Sequence, residues 1–169
     1  MPGNKSGVIQ PSFQGGIADG FVTEIKNDGS AIIKTSYFGT SGIDLIYGLK
    51  FDRKGFPYIM GTTTGSWPVV NAAYSNPGSK QFIAKLQPDL SAYVYSTIFG
   101  TSIAQPNISP IAFLVDRCEN VYVSGWGGGI NGSYSPGTTQ GLPETNPLNG
   151  IPIPDGKDFY FFVLEKNAQ

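Results

Sequence analysis

The sequence contains no histidine and a single cysteine, and only 14% of its 169 residues are charged. Without histidine, a Ser-His-Asp triad, a Cys-His dyad and a His-ligated zinc or iron site cannot be built from this chain alone. The lone Cys118 excludes an internal disulfide and any multi-cysteine metal centre. The net charge is −1, and Lys and Arg are nowhere clustered. A nucleic-acid partner is therefore not expected, because phosphate-backbone binding needs a basic patch. The longest apolar runs fall far short of the ~20 residues of a membrane helix, so no membrane insertion is expected. Met1 to Gly7 is short and polar, which leaves no apolar core for a signal peptide. No segment combines good helix formers with a 3.6-residue apolar period.

What is present is 13% aromatic residues, with 23 glycines and 13 prolines punctuating β-branched and aromatic stretches. Low charge with many aromatics argues against disorder. Many short strands joined by turns is the reading that composition supports. A chain of this length buries roughly 70% of its unfolded surface as one domain.

Comparing the sequence with itself shows two copies of one pattern. Asp19-Gly-Phe-Val-Thr-Glu-Ile25 with Ala31 to Gly39 matches Gln81 to Leu86 with Ala92 to Gly100. Phe21 maps to Phe82, Asp28 to Asp89 and Phe38-Gly39 to Phe99-Gly100, 61 residues on. Asp52-Arg53 maps to Asp116-Arg117, Tyr58 to Tyr122 and Gly61 to Gly125, 64 residues on, so the second copy carries a short insertion. Tyr160 to Leu164 matches Phe82 to Leu86 and opens a third copy. Each copy reads as four strands. Phe21, Thr23 and Ile25 alternate with Val22, Glu24 and Lys26 at the period of a sheet with one buried face. Asn27-Asp-Gly-Ser30 closes one hairpin and Asp52-Arg-Lys-Gly55 a second.

Four antiparallel strands in about sixty residues is the size of a propeller blade with generous loops. The expected fold is all-β, made of β-propeller blades that are four-stranded antiparallel sheets. Two full repeats and the start of a third leave the ring incomplete. The expected organisation is an N-terminal segment and inter-blade loop over 1–18, blade repeat 1 over 19–70 and blade repeat 2 over 71–132. A long Gly/Pro-rich loop over 133–157 and the first strand of repeat 3 over 158–169 follow.

Tyr95-Ser-Thr97, Phe99-Gly100, Val115-Asp116 and Val121-Tyr-Val123 resemble the seven-bladed β-propeller repeat (SBBP) family. Ile111 to Asp116 with Tyr122-Val-Ser-Gly-Trp-Gly-Gly128 looks closer to one subgroup, the gliding-motility-associated, type IX-secreted surface proteins of Bacteroidetes. Asp158 to Leu164 is similar to the opening of the next repeat there. The resemblance spans about residues 7 to 169. It implies a secreted or cell-surface, repeat-bearing protein.

Candidate chemistry is sparse. Asp28/Asp89 and Asp52/Asp116 recur inside turn signals, where backbone capping explains them. No other carboxylate pair stands out for the two-carboxylate glycosidase mechanism. Gly127 to Gly132 satisfies G-x-G-x-x-G, but the Ser-Tyr-Ser-Pro that follows cannot open the helix that would hold a pyrophosphate. Gly150 to Lys157 is a near-miss for a phosphate loop, one residue too long. No calcium-loop pattern is present and no cofactor is expected. Asn4, Asn107 and Asn131 head Asn-x-Ser triplets to which no function is attached.

Departures from the repeat are the places for specific recognition: Ala104 to Pro110, and the loop before Tyr160. Trp67, Trp126 and Tyr134 are the candidate binding residues. The two indoles either stack on sugar rings or grip a partner, or they plug seams between blades. The expectation is a non-catalytic scaffold and interaction module whose partner is a protein or a surface glycan. A carbohydrate-binding propeller is the alternative, and a glycoside hydrolase the second. Open blade edges predict self-association.

Overall fold

The structure, a computed structural model, describes residues 1–127, 137–144 and 156–166. Within them the chain forms strands joined into antiparallel sheets, as its composition predicts. In order they are β1 (Gly20–Ile25), β2 (Ile32–Phe38), β3 (Asp44–Phe51), β4 (Pro57–Thr63), β5 (Gln81–Leu86), β6 (Tyr93–Phe99), β7 (Ser109–Val115), β8 (Val121–Trp126) and β9 (Phe159–Leu164). Among the described residues no helix is long and apolar enough to cross a membrane.

The two sequence copies adopt the same local geometry. Asp28 and Asp89 each accept the amide of the serine two residues on, through Oδ1. Asp52 Oδ1 accepts the amides of Lys54 and Phe56, and Asp116 Oδ1 those of Cys118 and Asn120. These carboxylates therefore hold their turns, as their recurrence in turn signals implied. The irregularities repeat as well. Register shifts fall between Glu24 and Ile25 and between Lys85 and Leu86, at matching positions of the two copies. Tyr47 and Ile111, also matching, are each skipped by the ladder of their own hairpin.

One expectation needs correction. The four strands of a copy do not form one sheet. The sheets are β1-β2, then β3-β4-β5-β6, then β7-β8-β9, so pairing runs two strands out of phase with the repeat. The only four-stranded sheet among the described residues straddles the 70/71 boundary between the copies. Loop length misleads here. The short Gly39–Ile43 link leaves one sheet for another, while the long Thr64–Lys80 link joins neighbours within a sheet.

The three sheets stack face to face, with the four-stranded sheet in the middle. Ile59, Phe82, Ala84, Leu86 and Ile98 point to one side and pack with Val22 and Phe38 of the first sheet. Tyr58, Met60, Ile83, Tyr95 and Phe99 point to the other and pack with Phe113, Val121, Val123 and Leu164 of the third. Alternation at period 2 thus feeds two cores, and every residue of β4 and β5 is buried. Phe82 lies across Gly61, its partner in the ladder; a methyl group there would collide with both the Phe82 ring and the Leu45 carbonyl. Replacing the fully buried Phe82 by alanine is expected to lower unfolding free energy by about 3–5 kcal/mol. Phe161→Ser, on an exposed face of β9, is expected to stay within about 0.5 kcal/mol of the parent. Urea denaturation of both variants checks the contrast.

Candidate functional site

The seams between sheets hold the unusual chemistry. At one end of the seam between the second and third sheets, Lys85 is buried with its ammonium 2.9 Å from Asp52 Oδ2 and 2.8 Å from Glu119 Oε2. It also lies over the Phe56 and Tyr58 rings, 4.8 and 5.1 Å from their centroids. Glu119 Oε1 in turn meets Lys54 at 3.3 Å and Lys166 at 3.0 Å. Burial disfavours the Lys85 charge, but the hydrogen bonds that its ammonium donates to Glu119, Asp52 and Tyr58 outweigh it and hold its pKa above the ordinary lysine value. Lys85 first, then Lys166 and Lys54, pull the Glu119 carboxyl down to about 2. Burial works against ionised Asp52, yet Lys85 and the Phe56 and Lys54 amides keep its carboxyl below the usual range.

Glu119 occupies the turn position that Gly55 holds in the first copy, and both have left-handed backbones, φ 70° and 84°. A non-glycine residue is disfavoured there. What the glutamate gains is reach: it binds a lysine of the neighbouring sheet that a glycine cannot touch.

In the same seam a cleft of about 250 Å³ opens among Tyr74, Phe99, Leu142, Pro143, Tyr160 and Phe162. Its hydroxyls are committed or neutral. Tyr160 O–H donates to the Pro143 carbonyl at 2.7 Å. Burial pushes the Tyr160 hydroxyl up to about 12, helped by Tyr74 and Glu144, and burial also raises Tyr74. The cleft is therefore uncharged and largely apolar at neutral pH.

The sequence candidates are distributed differently. Trp67 is only 5% exposed. Its ring stacks on Phe82 with centroids 3.4 Å apart and planes 6° from parallel, and its Nε1 donates to Ser96 Oγ at 3.0 Å. This corrects the candidacy of Trp67 as a binding residue, since neither ring nor N–H is available to a ligand. Trp126, at the end of β8, is 43% exposed and opposite Phe159. Tyr134 lies outside the described residues, as do most of Gly127 to Gly132 and of Gly150 to Lys157. The insertion at Ala104 to Pro110 is no open recognition loop. Asn107 within it is buried, and its side chain accepts from the Thr101 amide and donates to Thr101 Oγ1 and the Thr138 carbonyl. That burial also removes Asn107 as a modification site. Cys118 is exposed, in the turn capped by Asp116.

Sequence reasoning missed Lys85, Glu119, Asp19 and Asp44. Burial first, with Asp44 contributing, raises the Asp19 carboxyl. Asp44 is fully buried, with Oδ2 held by the Thr40 amide and hydroxyl. A carboxylate without solvent access cannot serve as acid or base on a sugar, so this pair does not furnish the hydrolase mechanism. Among the described residues no group of three or more acidic or cysteine side chains is placed to hold a metal. No protein-family model and no curated protein matches the sequence.

Two measurements test these placements. Glu119 keeps a pKa near 2 in the folded state against an ordinary 4.5, so its stabilisation is complete above about pH 4.5 and is lost as pH falls towards 2. Glu119→Gln is expected to be less stable at pH 7 and to lose less stability over that acid window. Equal slopes in urea unfolding from pH 6 to 2.5 would contradict this. In fluorescence, acrylamide is expected to quench Trp126 and spare Trp67, so Trp126→Ala should remove the quenchable component.

Proposed function

We propose that the chain is a non-catalytic scaffold and interaction module built of β-propeller blades, belonging to a secreted bacterial cell-surface protein of the SBBP type. The observation that carries this reading is the face-to-face stack of sheets in which two repeat copies share turns, bulges and packing. Blade-like stacking leaves the outermost faces apolar, and that is what the two ends present. Phe21 and Ile25 are exposed on the first sheet, and Leu114, Phe161 and Val163 on the third. Large exposed apolar faces on a β scaffold are surfaces for further packing.

The catalytic alternative lacks support from residues: the recurring aspartates cap turns, and Asp44 is sealed. The carbohydrate-binding alternative loses Trp67, one of the two indoles it relied on. On the proposed reading the partner is another polypeptide surface, including a further blade or a second copy.

Light scattering across a concentration series tests this. The parent chain is expected to self-associate, and Phe161→Lys with Val163→Lys is expected to shift the mass towards monomer while the fold is kept. A parent that stays strictly monomeric at high concentration, with no dye binding to its apolar faces, would sink the reading. Hits on a glycan array that depend on Trp126 would favour the carbohydrate alternative instead.

A further inference from the structure

The two seams of the stack are versions of one another, and they differ in how one position is filled. In the seam between the first and second sheets, Thr63 donates its amide to the Lys80 carbonyl, and the chain then runs through Gly65 to Trp67-Pro68. In the seam between the second and third, the matching bond runs from the Gly127 amide to the Asp158 carbonyl, and further along the chain Gly141 leads into Leu142-Pro143. Each proline carbonyl accepts a side-chain hydroxyl, though from different strands: Pro68 from Ser96 Oγ of β6 at 2.8 Å, and Pro143 from Tyr160 O–H of β9 at 2.7 Å. Phe82 and Tyr160 also correspond, since each pairs across the ladder with the matching glycine, Gly61 or Gly125.

In the first seam the residue before proline is an indole stacked flat on Phe82. In the second it is a leucine, and Tyr160 borders an open cleft of about 250 Å³. Replacing a large aromatic by leucine in a matching frame leaves space, and a void in a packed seam forfeits contacts on every wall. The cleft is continuous with the packed interface between the sheets, because Phe99, Leu142 and Leu164 belong to both. It is smaller than the ~300–1,000 Å³ of ordinary small-molecule sites, which suits one side chain rather than an oligosaccharide. Its walls are four aromatic rings with no charged group, and Tyr160 already spends its hydroxyl on Pro143.

We infer that this cleft is a docking site for a single aromatic side chain, indole above all, presented by a partner polypeptide in an extended Trp-Pro-type segment. The inference rests on the reading of the chain as an interaction module, and it names the partner chemistry of one site. The first seam provides the template: there the chain supplies the ring itself, from Ser66-Trp-Pro-Val69.

The probes are indole and a capped Ser-Trp-Pro-Val tetrapeptide, followed by ligand-observed NMR and thermal shift on the full chain. Saturable binding of both is expected, the peptide more tightly. Leu142→Trp is expected to fill the cleft, raising Tm by about 2–4 °C and weakening both probes by ~10-fold or more. Tyr74→Ala, at a partly exposed wall, is expected to weaken both while leaving Tm near the parent value. Absence of saturable binding, or binding that neither variant changes, would overturn the inference. Binding of indole without the peptide would equally overturn it, marking a small-molecule cavity. None of these outcomes bears on the outer-face association measured with the Phe161 and Val163 variants, so the site and the scaffold reading fail separately.

Discussion

The structure depends on a sheet that is buried on both faces. A strand whose two faces each meet a core has no solvent side, and β4 and β5 are buried along their whole length, the polar Thr62, Thr63, Gln81 and Lys85 included. Tyr58 and Met60 serve one core, Ile59 the other; Ile83 serves one, Phe82, Ala84 and Leu86 the other. Such doubly covered strands read as near-continuous apolar runs rather than as alternation. Pairing, seam chemistry and the placement of function follow from that arrangement, because groups in the middle sheet must find partners in a neighbour or within the ladder.

Lys85 shows how the constraint works on a charge. It stands in a doubly buried strand, where an unpaired ammonium would be strongly disfavoured. Its partners come from two different sheets: Asp52 from the β3-β4 turn of its own sheet, and Glu119 from the β7-β8 turn of the next. The same turn position that is Gly55 within the middle sheet becomes Glu119 in the third, accepting a left-handed backbone in exchange for a carboxylate across the seam. Leu90 is a parallel case. It takes the left-handed position of Gly29 and sends its side chain into the first seam, where its carbonyl also receives the Ile9 amide. In both places the second copy departs from the glycine of the first where a side chain binds neighbouring sheets together.

Local signals carried much of the fold and little of the site. The hairpins β1-β2 and β3-β4 were legible because Asn27-Asp-Gly-Ser30 and Asp52-Arg-Lys-Gly55 encode their turns within a few residues. The phase of the sheets was not legible. Whether β2 or β5 lies beside its sequence neighbour is decided by packing across seams, and the links that cross between sheets, 39–43 and 100–108, are both shorter than the 64–80 link that stays within one. The period-2 pattern of Phe21, Thr23 and Ile25 suggested that these residues form the buried face of β1, yet Phe21 and Ile25 are exposed and Val22 is buried, while the matching Phe82, Ala84 and Leu86 sit in a strand covered on both faces. For the site, Lys85 and Glu119 are 34 residues apart, and neither sits in a motif. The departure of Glu119 from Gly55 was visible in the aligned copies and is the one signal that could have found it. Trp67 misled because an aromatic beside a proline in a loop looks like a recognition residue, and only its stack on Phe82 reveals a core residue.

The two seams also show why specificity in such a module belongs at the variable plugs rather than in the repeated strands. Buried positions of the middle strands are fixed by the need to satisfy two cores, and turn aspartates by backbone amides, so changes in either set cost stability. The residue before the proline that closes each seam is different: it packs against the sheets from a connecting segment and is not part of a ladder. As tryptophan it completes the seam with a stacked ring and a hydrogen bond to Ser96. As leucine it leaves four aromatic walls facing a cleft, with the sheets themselves unaltered in register. A single side-chain change at that place converts a closed seam into a receptive one, at a cost limited to local contacts. On the proposed reading, a repeat scaffold acquires a binding site by leaving out a ring that its other seam supplies.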